Sequence, residues 1–171
     1  PWQITTIGNS IARFTQQVSG GTNIIQRGTG TVDFGGAGIN HTFTGSHSVL
    51  GGTASVTGST LTVGNVTLNN GQLTGSGEVN GISFGGGTTN VVAPGTPTTT
   101  GILTVDSHLT LNNSTTVRLK IRGTSSNLYD QLAVDGNLNL NDATLQLDFD
   151  GFNPAVGDTF TIISASGNLS G

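Results

Sequence analysis

Arg118, Lys120 and Arg122 alternate with Val117, Leu119 and Ile121, so on a β-strand the three cations leave by one face and the three apolar side chains by the other. Twenty-eight residues further on, Gln146, Asp148 and Asp150 alternate in the same way with Leu145, Leu147 and Phe149. Two chemistries fit a basic stripe laid beside an acidic one. A strand face carrying Arg, Lys and Asp suits catalysis or sugar binding, whereas charges that match pairwise suit cross-strand ion pairing, which fixes register. The pairwise match favours pairing, with Lys120 beside Asp148, and each exposed pair would contribute only about 0–1 kcal/mol.

Other chemistry-bearing residues are scattered. Asp106 and Asp135 coincide when the two stretches are aligned, and stacked carboxylates can take calcium. The glycine-rich nonapeptide of calcium-binding β-rolls is absent, so both are read as turn residues. His41, His47 and His108 have no acidic or Cys partners at zinc spacing. His41 and His47 flank Phe43 on a predicted strand and are expected at the surface, while His108 aligns with Asn137 as a turn residue. Tyr129 with Asp130 is the one exposed-looking pair of an aromatic and an acid, whereas Phe149, Phe152 and Phe160 read as core and Trp2 as a packing anchor. A G-x-S-x-G elbow, a phosphate loop and an HExxH motif are all missing, and the GGG at 85–87 lacks the Lys-Ser/Thr that a phosphate loop needs. No catalytic, cofactor-binding or metal-ligating residue is assigned, and no cofactor and no enzymatic activity are expected.

The elements that carry these residues repeat. LTVDSHLTLNNSTTVRLKIRG, residues 103–123, overlays LAVDGNLNLNDATLQLDFDG, residues 132–151, at a shift of 29 in its first half and 28 in its second. A third, shorter copy lies upstream at 61–81, aligning Leu61, Val63, Val66 and Leu68 with Leu103, Val105, Leu109 and Leu111 when one turn residue is deleted. Asn69, Asn112 and Asn141 then share a position, where Asn can turn the chain and stack in a hydrogen-bonded ladder. Apolar residues recur at every second position and nowhere at helical spacing, so strands and essentially no helix are predicted.

Short strands in a 20–50-residue repeat cannot bury their apolar face alone and must stack. The predicted architecture is therefore a single-domain, all-β, right-handed parallel β-helix, a β-solenoid of about six or seven coils and roughly 30 Å length. An antiparallel β-sandwich is the alternative. Residues 61–171 carry the solenoid repeats, whereas residues 1–60 alternate like strands without registering on the repeat and are expected to form irregular N-terminal coils, a cap or a donated strand.

Composition excludes several partners. Five basic residues, a net charge of −4 and a pI near 4.9 leave no footprint for nucleic acid or an anionic membrane. No apolar run reaches the roughly 20 residues of a transmembrane segment. Cysteine is absent, which removes disulfides and thiolate metal sites. The opening Pro1 suggests a processed or excised product, so a missing signal peptide says nothing about secretion.

LTVDSHLTLNN, YDQLAVDGNLNLNDATLQLDF and GFNPAVGDTFTIISASGNLSG, with GSGEVNG and VVAPGTPTTTGILTV before them, resemble the passenger-domain repeats of bacterial autotransporters and related secreted adhesins. The resemblance covers about residues 60–171. It implies export to an extracellular or bacterial cell-surface location, a right-handed β-helix and an adhesive or scaffolding role. The membrane barrel that such proteins carry is not in the sequence.

Two functions follow as expectations. The first is a non-enzymatic structural or adhesive solenoid, a surface scaffold or the subunit of a head-to-tail filament, with self-association or flanking solenoid repeats at its ends and a host or matrix glycan or protein as receptor. The second is a carbohydrate-binding or carbohydrate-active module. An ice-binding face is disfavoured, because outward Thr62, Thr104 and Thr110 give way to Ala133 and Asn139 in the next copy.

Overall fold

The computed structural model describes residues 1–61 and 65–171. Strands come in groups of three. The first groups are β1 (Trp2–Thr6), β2 (Ile11–Arg13) and β3 (Ser19–Gly20), then β4 (Ile24–Gly28), β5 (Thr31–Asp33) and β6 (Asn40–Phe43). There follow β7 (His47–Leu50), β8 (Thr53–Ser55), β9 (Thr60–Leu61), β10 (Val66–Leu68), β11 (Gln72–Gly75) and β12 (Glu78–Val79). Next are β13 (Ile82–Phe84), β14 (Asn90–Pro94), β15 (Ile102–Val105), β16 (Leu109–Thr110), β17 (Thr115–Lys120) and β18 (Gln131–Val134). The last are β19 (Leu138–Asn139), β20 (Thr144–Asp148), β21 (Ile163–Ala165) and β22 (Leu169–Ser170), and a 3-10 turn at Ser126–Leu128 precedes β18.

The chain visits three sheets in rotation. One sheet runs β1-β4-β7-β10-β13, a second β2-β5-β8-β11-β14-β17-β20 and a third β3-β6-β9-β12-β15-β18-β21, while β16-β19-β22 form a small sheet that takes the first one's turn in the rotation. Within each sheet, neighbouring strands lie three places apart in the chain and pair in parallel, after a return of 16 residues at the shortest (Val66 to Ile82) and 31 at the longest (Leu132 to Ile163). Strand makes up 47% of the residues and these ladders are parallel, which is not the antiparallel sandwich considered above. Residues 1–60 contribute strands to the same three sheets as the rest.

Register explains the alternation. Leu103, Leu132 and Ile163 stack in one column, Val105, Val134 and Ala165 in the next, and Val117 lies beside Leu145 and Leu119 beside Leu147. Leu103, Val105, Leu119 and Leu132 are fully buried, and burying each such side chain stabilises by about 1.5–3 kcal/mol. The 29-residue return from Ile102 to Gln131 and the 28-residue return from Thr116 to Thr144 are those read from the repeat. The missing residue is in the corner. Asn112 spans the longer corner with its side chain, Oδ1 accepting from the Ser114 amide and from the Ser114 and Thr115 hydroxyls. The shorter corner instead puts Asn141 and Asp142 at φ of 42° and 60°, a left-handed backbone that Asn and Asp tolerate better than most residues.

Two details of the repeat reading are corrected. Leu61 pairs with Val79, which pairs with Val105, so the upstream copy is offset by two residues from the expected match with Leu103 and a further winding lies between them. An offset of two keeps the same face inward, so the pattern hid it. Val63 and Thr62 lie outside the described residues. Nor do Asn69, Asn112 and Asn141 form a ladder: Gly85 follows Phe84 across from Asn69, Asn112 caps its own corner, and Asn141 donates Nδ2–H to the Leu111 carbonyl at 3.1 Å. A glycine in the column leaves Asn69 no amide to stack upon.

Candidate functional site

The charged stripe has the expected register, and its expected pairing holds at Arg122 and Asp150 but not at Lys120. Arg118 lies beside Gln146 and Lys120 beside Asp148, yet the Lys120 ammonium turns to Asp130, with Nζ 2.6 Å from Oδ2. Asp130 is completely buried, its Oδ2 also accepts the Lys120 amide at 2.8 Å, its Oδ1 accepts the Gly101 amide at 2.9 Å, and Lys120 Nζ reaches the Pro94 carbonyl at 3.1 Å. Every lone-pair direction the carboxylate needs is filled from within the fold, so this pair binds strands to the 95–101 loop. A Cβ on Gly95, which has φ of +76°, would come within 2.6 Å of Asp130 Oδ1. Arg122 Nε sits 2.6 Å from Asp150 Oδ2 but is not aligned as a hydrogen-bond donor to it, so that contact is ionic. Tyr129 is buried rather than exposed and packs edge-on against Phe160 with ring centroids 5.5 Å apart. The Tyr129–Asp130 pair is therefore structural.

His41 and His47 are also interior, against expectation. His41 Nδ1 accepts the Val18 amide at 3.2 Å, which places its proton on an unpartnered Nε2; His47 has a partner for neither nitrogen. Both rings meet Phe34 edge-on, at 5.4 and 5.0 Å between centroids. Burial lowers the pKa of both and takes His47 to about 3, so both are neutral at pH 7. His108 is a turn residue as read, its Nδ1 accepting the Asn137 amide at 2.8 Å. Asp106 follows Val105 and Asp135 follows Val134 in paired strands, and Asp135 accepts the Ser166 hydroxyl at 2.7 Å. Trp2 is 53% exposed on the edge strand β1, not a core anchor, and Phe149 is 38% exposed. Trp2 lies on the first strand of its sheet, and Phe149 lies just beyond the last strand of the second.

A concave feature lies elsewhere, on the outer face of the second sheet. Thr31 and Asp33 flank buried Val32, Thr53 and Ser55 flank buried Ala54, and Gln72 and Thr74 flank buried Leu73. Each pair therefore faces outward, and the three stack into two polar rows, Thr31–Thr53–Gln72 and Asp33–Ser55–Thr74. Ile11, Ile39 and Pro97 rise at the sides, and the groove encloses about 730 Å³. Arg13 and Arg118 close its ends. Arg13 Nε is 2.7 Å from Asp33 Oδ2 while Asp33 Oδ1 is buried without a partner. Arg118 has no ion pair or hydrogen bond among the described residues, unlike Lys120 on the same strand and Arg122 just beyond it. Gly35 lets the chain pass close to Asp33, since a Cβ there would lie 2.9 Å from Oδ2.

No family model matches the chain, and no curated protein matches it. Sequence reasoning missed this groove because it lies mainly in residues 1–60, which do not register on the repeat. A signal was present: Thr-x-Asp at 31–33, Thr-x-Ser-x-Thr at 53–57 and Gln-x-Thr at 72–74 alternate outward polar residues with inward apolar ones.

Proposed function

We propose that the chain is a stretch of right-handed parallel β-solenoid serving, without enzymatic chemistry, as a surface scaffold or adhesive stack in an extracellular or cell-surface setting. The observation that carries the reading is the state of the column ends. Leu109 and Leu138 are buried at 1% and 0%, but Leu169 in the same column is 58% exposed. Likewise Val117 and Leu119 are buried at 2% and 0%, while Leu145 and Leu147 beside them are 48% and 39% exposed. At the opposite end Trp2 and Ile11 are exposed on β1 and β2, the first strands of their sheets.

Parallel sheets have complementary edges, so the last strands of one stack can pair with the first strands of another. Such a head-to-tail contact is heterologous and need not close into a ring. A second copy of the chain, or flanking solenoid repeats, is the occupant we assign to these edges, and the autotransporter-like repeats support the extracellular setting. Sedimentation at increasing concentration tests the reading. Wild-type protein is expected to grow into a ladder of multiples, and Leu147→Lys with Leu169→Asp to remain monomeric. A monomer at every concentration contradicts the filament.

A further inference from the structure

Apart from Ile11 and Arg13 on the edge strand β2, the groove on the second sheet lies away from the open ends, and its chemistry points to a ligand. It runs from β2 to β17, five strand spacings, or roughly 24 Å. Its floor is polar over β5, β8 and β11, with Thr31, Thr53 and Gln72 in one row and Ser55 and Thr74 in the other, and turns apolar at Val91 and Ala93 of β14 before Arg118. β5, β8 and β11, which form the polar floor, are interior to the sheet and paired on both sides. Their backbone amides are consumed, so an extended peptide finds no main-chain ladder to join. A ligand must instead offer a polar group to each step of the polar floor and apolar faces to Ile11, Ile39 and Pro97 on the walls.

We propose that the groove binds a linear, uronate-containing glycan lying along the stacking axis. Pyranose rings have apolar faces and hydroxyl edges, which match apolar walls and a hydroxyl floor. One ring advances such a chain by a length similar to one strand spacing, so about five rings fill the groove. The ends set polarity. Arg118 offers a guanidinium with no protein partner among the described residues, suited to a bidentate bond with a sugar carboxylate. Asp33 offers a second carboxylate oxygen without a donor, suited to a neutral hydroxyl and repelling an acid. The Arg13–Asp33 pair is internally neutral, so one net positive charge faces the ligand. Nucleic acid is a poor fit, because a single unpaired cation and no aromatic platform line the floor.

Binding is tested by calorimetry on dilute wild-type protein with three probes: a hexasaccharide of alternating glucuronate and N-acetylglucosamine, neutral cellohexaose, and a hexaglutamate peptide. The acidic glycan is expected to bind at least tenfold more tightly than either of the others. Arg118→Ala should weaken it about tenfold and bring it level with cellohexaose, and Ser55→Trp should abolish binding by filling the floor, both variants melting as cooperatively as wild type. If Ser55→Trp does not fold, wild-type amide shifts on titration decide, and they should cluster on β5, β8 and β11. Equal binding of the acidic and neutral glycans removes the carboxylate from the proposal. Tighter binding of hexaglutamate makes the occupant an acidic peptide, and no binding at millimolar probe, or shifts outside the groove, overturns the site.

Discussion

The early windings and the late windings solve the same stacking problem with different interiors. In the late region each column is aliphatic from strand to strand, as in Leu103–Leu132–Ile163 and Val105–Val134–Ala165. In the early region polar side chains stand in otherwise apolar columns: His47 between Ile24 and Val66, and Gln26 between Ile4 and Val49. His41 lies across from Leu61 in the backbone register of β6 and β9. Around them packs an aromatic cluster in which Phe14 and Phe43 stack on Phe34, at 5.1 and 6.2 Å. Aliphatic columns are held by dispersion and water exclusion, which are indifferent to pH. The early columns bury neutral imidazoles and an unpartnered Gln26 Oε1, so their stability depends on what those groups carry.

That contrast predicts its largest effect in acid. His47 has a folded pKa near 3, below the 6.5 of an unfolded histidine, so the unfolded chain binds the extra proton first. Its contribution is intact above about pH 6.5 and is lost as pH falls towards 3, approaching ~5 kcal/mol at the limit. His41 shifts in the same direction through burial. Melting followed by resolved amide signals should show β4–β8 unfolding first at pH 4 and together with β15–β18 at pH 7. His47→Val, matching Val66 in its column, should abolish most of the difference; early windings that still melt first in acid would place the lability elsewhere.

The second effect breaks the late region through its one buried ion pair. Asp130→Ala strands the Lys120 ammonium, whose side chain is only 13% exposed, and should cost about 3–5 kcal/mol, read as a lowered denaturant midpoint. A double-mutant cycle joining Lys120 with Asp130 should show strong coupling and one joining Lys120 with Asp148 almost none. Leu132→Ala, fully buried, should cost about 3 kcal/mol at any pH between 4 and 8, and that flat profile is the counterpart of the His47 result. The smallest effect belongs to Arg122 and Asp150, half exposed on the carboxylate side: their coupling should stay below about 1 kcal/mol and fade in salt.

How much could be read in advance followed the same division. The repeat at 103–123 and 132–151 gave the parallel register to the residue, because aliphatic columns and a constant return of 28 or 29 residues leave a direct trace. The early windings return after 23 residues from Ile24 to His47 and 19 from His47 to Val66, and unequal corners erase a sequence period. His41 and His47 were misplaced by polarity although parity pointed inward, since His41 shares it with buried Phe43 and His47 with buried Val49. Asp130 was missed as a structural group because its partners, the Gly101 amide and Lys120, come from other segments. The charged stripe was legible as a register and in its Arg122–Asp150 pair, but not at Lys120, which is long enough to leave its ladder neighbour for a buried carboxylate.

Stacking at the open ends is the centre of the account, and cryo-electron microscopy of the purified protein near neutral pH tests it most directly. The account predicts unbranched filaments in which the strand spacing of about 4.8 Å runs through each subunit joint, with Leu145, Leu147 and Leu169 of one copy covered by the first strands of the next. Isolated short rods at every concentration, or rods joined side by side with those leucines still in solvent, would contradict it.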